Sequence, residues 1–288
     1  MSTIAAPPLS LRLARLVKLE HTVFALPFAL VGALLATGGH PGWANVGWIV
    51  VAMVGARTLA MGLNRLVDAE LDARNPRTAT RELPSGALSR AQVTGLCAAA
   101  LVVYVFATWN LDPAVRWLWP IPVFFFVVYP YLKRFTWLCH LWLGISLGLA
   151  PVGAWAAVSG SFPWESWAIG GAVALWVAGF DLFYALLDLE HDRAAGLVSW
   201  ATRFGERGVF VGAALHHIGA VVLLAVAGYG LGLGAWYFVG VAVVATLLAY
   251  EHSLVAPGDL RRLNTAFFTV NGLISIVLLV FVALETTT

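Results

Sequence analysis

Apolar residues run through this chain in blocks too long for strands and too unbroken for helices that lie half in water. A helix rises 1.5 Å per residue, so about 20 mostly apolar positions cross the hydrocarbon core of a bilayer. By that measure the pattern predicts nine spanning helices, at about 22–38, 44–67, 90–109, 115–132, 137–158, 166–189, 208–228, 231–250 and 265–285. The segments between them carry the residues that end helices. They read GGHPGWAN, WNLDP, LKRFT, SGSFPWES, GYGLGLG and EHSLVAPGDLRR, with two longer polar stretches at about 68–90 and 190–207. The expected fold is all-α, a polytopic membrane bundle of nine transmembrane helices forming a single domain over residues 1–288.

The cations then orient the bundle. Allotting the connections alternately to two sides puts Arg12, Arg15, Lys18, Arg74, Arg77, Arg81, Arg90, Lys133, Arg134, Arg193, Arg203, Arg207, Arg261 and Arg262 on one side and Arg116 alone on the other. Arg57 and Arg65, in or at the end of the second helix, complete the seventeen. Cytoplasmic loops are the ones enriched in Lys and Arg, so the N-terminus is expected inside and the C-terminus outside. Trp43, Trp48, Trp109, Trp117, Trp119, Trp164 and Trp167 collect on the opposite side, as an interfacial aromatic belt does.

Composition agrees. Of 288 residues 60% are hydrophobic and 11% charged, against about a quarter charged in a soluble domain. The two cysteines, Cys97 and Cys139, both lie in apolar runs and are expected as small core residues rather than a disulfide or a metal site. Arg12, Arg15 and Lys18 before the first apolar run resemble a signal peptide. That run is long enough to span and many follow, so it is expected as a retained first helix.

Against this background the acids stand out, because an intramembrane carboxylate costs about 2.5–3.5 kcal/mol on insertion scales. Asn64, Asp68 and Asp72 recur every four residues and share one helix face. Asp181, Tyr184, Asp188 and Asp192 share another. The orientation brings both groups to the cytoplasmic surface, and 120 positions separate Asp68 from Asp188 and Asp72 from Asp192. The device is thus repeated once in each half of the bundle, about 1–135 and about 136–288. Stacked carboxylates repel and need a counter-charge. Hard oxygen ligands suit Mg²⁺, which takes one or two carboxylates and completes its shell with water and substrate phosphate. Two acidic helix ends facing each other can hold two such ions around a diphosphate. Arg65, Arg74, Arg77, Arg81 and Lys133 are then placed to grip phosphate oxygens. The plainer reading is that the acids cap helices or pair with those arginines.

Other polar residues say less. His216 and His217 point to different faces of the seventh span and are expected in packing hydrogen bonds. His191 has no assigned part. Arg57, about two turns inside the second helix, should face a cavity and meet an anion, either a substrate carboxylate or a structural partner such as Asp181.

At these residues the chain resembles the UbiA family of intramembrane prenyltransferases. The family's N-x-x-x-D-x-x-x-D motif reads Asn64, Asp68, Asp72 here, and its Y-x-x-x-D-x-x-x-D motif reads Tyr184, Asp188, Asp192. Arg77–Gly86 is similar to the R-T-x-x-R-P-L-P-S-G stretch of the 4-hydroxybenzoate polyprenyltransferase branch, with Glu82 at the usual Pro. Tyr129–Thr136 is similar to its Y-P-x-x-K-R segment. Many members have N-D where this chain has Asn64-Arg65, and Lys18–Phe28 looks more like members that make menaquinone by the futalosine route. The resemblance implies a central cavity open to the cytoplasm and to lipid, and Mg-assisted transfer of a polyprenyl group from its diphosphate to an aromatic hydroxy acid. That acid is of the 4-hydroxybenzoate or dihydroxynaphthoate type used in ubiquinone or menaquinone synthesis. It further implies Asn64, Asp68, Asp72, Asp188 and Asp192 at the metal and diphosphate, Asp181 and Tyr184 orienting the acceptor or taking its proton, and Arg57 at its carboxylate or at phosphate. A transporter using the same acids as ion sites is the alternative, disfavoured because transporters place such acids near the midplane. A structural membrane subunit gives no reason for two matched acid clusters, and no nucleic-acid signature is present.

Overall fold

The computed structural model describes residues 8–18, 25–263 and 269–288. Among them the chain is helical, in the order α1 Leu9–Val17, α2 Leu26–Ala36, α3 Trp43–Arg74, α4 Arg90–Trp109, α5 Pro120–Leu132, α6 Cys139–Ser159, α7 Trp164–Ala185, α8 Leu189–Ala194, α9 Trp200–Gly230, α10 Ala235–Leu254 and α11 Asn271–Thr287. Seven segments are long and apolar enough to cross a membrane, and this is an integral membrane protein. They are α3, α4, α5 with the turn at Pro113–Val115, α6, α7 with α8, α9 and α10.

The predicted count of nine is therefore not reproduced by length alone. The helices at the expected first and ninth spans, α2 and α11, are apolar but shorter, and both border residues outside the described set. Most of the Lys18–Phe28 segment also lies outside it. Two boundaries differ in a way that matters. The second span continues to Arg74 instead of ending near residue 67, so Asn64, Asp68 and Asp72, expected on one helix face, lie on a single unbroken helix. The sixth breaks into a 3-10 turn at Leu186–Asp188 before α8 resumes. A 3-10 turn winds more tightly than an α-helix, yet Asp181, Tyr184, Asp188 and Asp192 still line one cavity.

Local chemistry accounts for the ends. Ser89 with Gln92 and Ser199 with Thr202 form reciprocal capping boxes on α4 and α9. Asp112 accepts from the Ala114 amide to start the turn before α5. The helices then approach closely where side chains are smallest, the usual way bundles pack in lipid. Gly144 and Gly148 of α6 lie against the carbonyl oxygens of Ala174 and Gly170 on α7, where a β-carbon would overlap backbone. Gly55 and Gly62 of α3 lie against Tyr104 and Cys97 of α4.

A buried polar chain ties the last helices to the centre. Trp176 Nε1 donates to Asn271 Oδ1 at 2.8 Å, and Asn271 Nδ2 donates to Glu251 Oε1 at 2.9 Å, joining α7, α11 and α10. One element was not foreseen. α1 is an amphipathic helix whose Leu16 and Val17 pack beside Leu59, Leu88 and Val93, with Leu9 and Leu11 exposed, as suits a helix lying in a membrane interface.

Candidate active site

The α3 cluster is built on an unbroken helix. Asp68 Oδ2 takes 2.7 Å and 3.1 Å hydrogen bonds from Lys133 Nζ and Asn64 Nδ2. Both oxygens of Asp72 take 2.8 Å hydrogen bonds from Arg81 Nη1, and Arg65 Nη1 stands 3.9 Å from Asp72. Arg81 reaches back nine positions because the chain folds over the end of α3. The Thr78 hydroxyl donates to the Asp72 carbonyl at 3.0 Å, and the Arg77 amide donates to Asn75 Oδ1 at 3.0 Å. Lys133 is aimed by its own segment, since Arg134 donates to the carbonyls of Pro130 and Val67, and the Val198 amide donates to the Lys133 carbonyl.

The α7–α8 cluster is held from across the gap. Asp188 accepts from Asn75 Nδ2 and Arg77 Nε, each at 2.8 Å, and pairs with Arg77 Nη2; Arg77 also donates to the Tyr184 hydroxyl at 3.3 Å. Burial works against the Arg77 charge, but the Asp188 carboxylate and Tyr184 outweigh it and hold the guanidinium pKa above its ordinary value. Residues just past the first cluster thus bridge directly to the second.

One polar cavity of about 230 Å³ is lined by Asn64, Arg65, Asp68, Asp72, Arg77, Arg81, Lys133, Asp181, Tyr184, Asp188 and Asp192. A second cavity, of about 580 Å³ and mostly apolar, is lined by Arg57, Met53, Tyr104, Phe126, Leu147, Phe180 and others. Asn64, Tyr129 and Asp181 line both.

Two expectations need correction. Arg74 lines neither cavity and is exposed, because α3 continues through it and two residues past Asp72 it points away from the acids. Arg57 does face a cavity, but the apolar one, and its Nη2 donates to the Lys18 carbonyl at 3.1 Å rather than to Asp181.

The sequence reading also passed over residues that meet these groups. Asn75 bonds Asp188, and His140 Nδ1 lies 2.7 Å from Asp181 Oδ2. A signal existed for His140. It stands at the start of a span, just after the Lys133-Arg134 connection, at the membrane side where both acid groups end.

The carboxylates are all-oxygen donors, and Asp68 Oδ1, buried 3.7 Å from Arg134 Nη1, has no hydrogen-bond partner among the described residues, which fits a hard divalent cation. Among the described residues no three acidic, histidine or cysteine side chains close on one point. The site therefore fits an ion that also takes oxygens from its substrate, not one caged by protein alone.

An intramembrane bundle with a cation-lined acidic chamber above an apolar one defines a class of protein. It handles amphiphiles with an anionic head and a lipid tail. Residues 25–274 match the UbiA prenyltransferase family, and the chain belongs to that family. It is 32% identical over 260 residues to the 4-hydroxybenzoate octaprenyltransferase of Aromatoleum aromaticum, covering 90% of this chain and 88% of that one. A second such enzyme, from Vibrio campbellii, is 29% identical, covering 92% and 90%. Among solved structures, the apo UbiA homolog of Aeropyrum pernix superposes with a TM-score of 0.84 at 34% identity, over 92% of this chain and 98% of that one. A UbiA homolog from Archaeoglobus fulgidus bound to DMAPP and Mg²⁺ shares the fold at a TM-score of 0.73 and 19% identity, over 96% and 99%.

Proposed function

We infer that this protein transfers a polyprenyl group from its diphosphate to an aromatic hydroxy acid of the 4-hydroxybenzoate or dihydroxynaphthoate type, in quinone biosynthesis. The observation that carries the reading is the joining of the two cavities at Asn64, Tyr129 and Asp181. A charged head above and an apolar tail below leave the reacting carbon at that seam.

The relatives that bear the octaprenyltransferase name support the acceptor class. The homologue bound to DMAPP and Mg²⁺ supports a prenyl diphosphate and a divalent metal. Asn64, Asp68, Asp72, Asp188 and Asp192 would hold Mg²⁺, in all two ions. When bound, the metal supplies Lewis-acid stabilisation of the departing diphosphate. Arg65, Arg77, Arg81 and Lys133, which balance the acids in this structure, are the groups that can take diphosphate oxygens. Arg57, from the apolar side, serves the acceptor carboxylate. Asp181 and Tyr184 orient the acceptor or take its proton. The apolar lining keeps water from the allylic cation.

The same reading takes residues 1–288 as one domain of two half-bundles. It counts α2 and α11 with the seven long segments as nine spans, with the N-terminus and site on the cytoplasmic side.

The test is an assay in membranes with geranyl diphosphate, Mg²⁺ and either acid. Product is expected, lost with a chelator and restored by added Mg²⁺. Turnover that survives chelation, or no product with either acid, would end this reading.

A further inference from the structure

His140 forms a close polar pair with Asp181, the first acid of the α7–α8 group, beside the junction of the two cavities. His140 lies in the first turn of α6 and Asp181 near the end of α7, with Nδ1 and Oδ2 2.7 Å apart. The tight approach of α6 and α7 sets this distance. Gly144 and Gly148, one and two turns beyond His140, permit it.

An ionised carboxylate only accepts hydrogen bonds, so Nδ1 carries the proton and donates it to Asp181. In the neutral ring this bond fixes the tautomer and leaves the lone pair on Nε2. Nε2 is buried and has no hydrogen-bond partner among the described residues, in a residue only 8% exposed. His140 lines the polar cavity, and its partner Asp181 lines both.

Three of the neighbouring carboxylates are held by cations. Asp68 is held by Lys133, Asp72 by Arg81, and Asp188 by Arg77 and Asn75. Each of these three carboxylates already accepts a hydrogen bond from a cationic side chain.

We propose that His140 takes the ring proton of the aromatic acceptor, and that Asp181 is the positioning residue that orients it. This deepens the prenyl-transfer reading and rests on it. The carbon–oxygen bond to the diphosphate breaks, and its electron pair leaves with the diphosphate. A carbon–carbon bond forms between that prenyl carbon and a ring carbon of the acceptor. The proton on the same ring carbon passes to His140 Nε2, and the electrons of its carbon–hydrogen bond restore the aromatic ring. The resulting imidazolium rests against the Asp181 carboxylate until the proton leaves to solvent. No further reactant is required.

The experiment compares the parent with His140→Gln and His140→Asn, using geranyl diphosphate, Mg²⁺ and whichever of 4-hydroxybenzoate or a dihydroxynaphthoate the parent prenylates. The acceptor is used unlabelled and with deuterium at the alkylated ring carbon. Affinity for geranyl diphosphate is measured separately, without acceptor. Both variants are expected to lose turnover by roughly 100-fold, to bind geranyl diphosphate as the parent does, and to show a larger primary isotope effect. Asp181→Asn should raise the isotope effect as well, with a smaller loss.

Turnover near the parent's overturns the proposal. So does lost turnover with an unchanged isotope effect, or with weakened geranyl diphosphate binding, since either marks a structural role. A parent that prenylates neither acid overturns the underlying reading instead, and is distinguished by that result alone.

Discussion

The two acid clusters share one sequence pattern but are built differently. On α3, Asp68 and Asp72 sit one turn apart on a continuous helix, and their cations arrive from connections that fold over its end. On α7–α8, the α-helix gives way to a 3-10 turn at Leu186–Asp188, and Asp188 is held by Asn75 and Arg77 from the first half of the chain. The first cluster is a rigid platform. The second depends on its opposite number for both its charge balance and its place. Repeating a motif in sequence thus repeats the donor atoms but not the mechanics.

Substitutions can test that asymmetry. Asp68→Asn and Asp188→Asn should each lower turnover by about 10³-fold or more, since each removes a fixed charge facing the reacting head group, while the protein stays folded by its thermal transition. Comparable residual activity in only one of them would show that one cluster alone does the chemistry. Arg77→Ala and Arg81→Ala should each cost about 10–100-fold, as is usual for groups that orient ligands. They should differ in hydrogen exchange. Faster exchange at residues 186–194 is expected for Arg77→Ala, whose side chain bridges to Asp188, and not for Arg81→Ala, which pairs within the first half. Equal exchange in both would erase the distinction drawn here. Gly148→Val should destabilise the bundle by about 1–3 kcal/mol through overpacking against α7, read as a lowered unfolding midpoint in detergent. Arg74→Ala should leave turnover within about twofold of the parent, because an exposed charge that meets no partner contributes little.

Much of this is legible in the sequence. The hydrophobic blocks gave the helical class and each of the seven long segments, because lipid leaves the backbone few alternatives to helix. The acids stand out because charge at the ends of such blocks is expensive, and Arg65, Arg77, Arg81 and Lys133 because they lie beside them. Hydropathy alone stops the second span near residue 67, while the four-residue spacing of Asn64, Asp68 and Asp72 already carries its helix toward the end at Arg74. The 3-10 break was not legible, as no proline or glycine marks Leu186–Asp188. His140 was missed because its meaning lies in a contact with a residue 41 positions away, across a helix interface that small residues set.

The strip made by Asn64, Tyr129 and Asp181 has one more consequence. It is a phase boundary at molecular scale, ionic on one side and oily on the other. A two-sided substrate sorts itself against such a line as a surfactant does at an oil–water surface. On the proposed function, the bond to be broken would come to rest where the two media meet, whatever the length of the tail beyond.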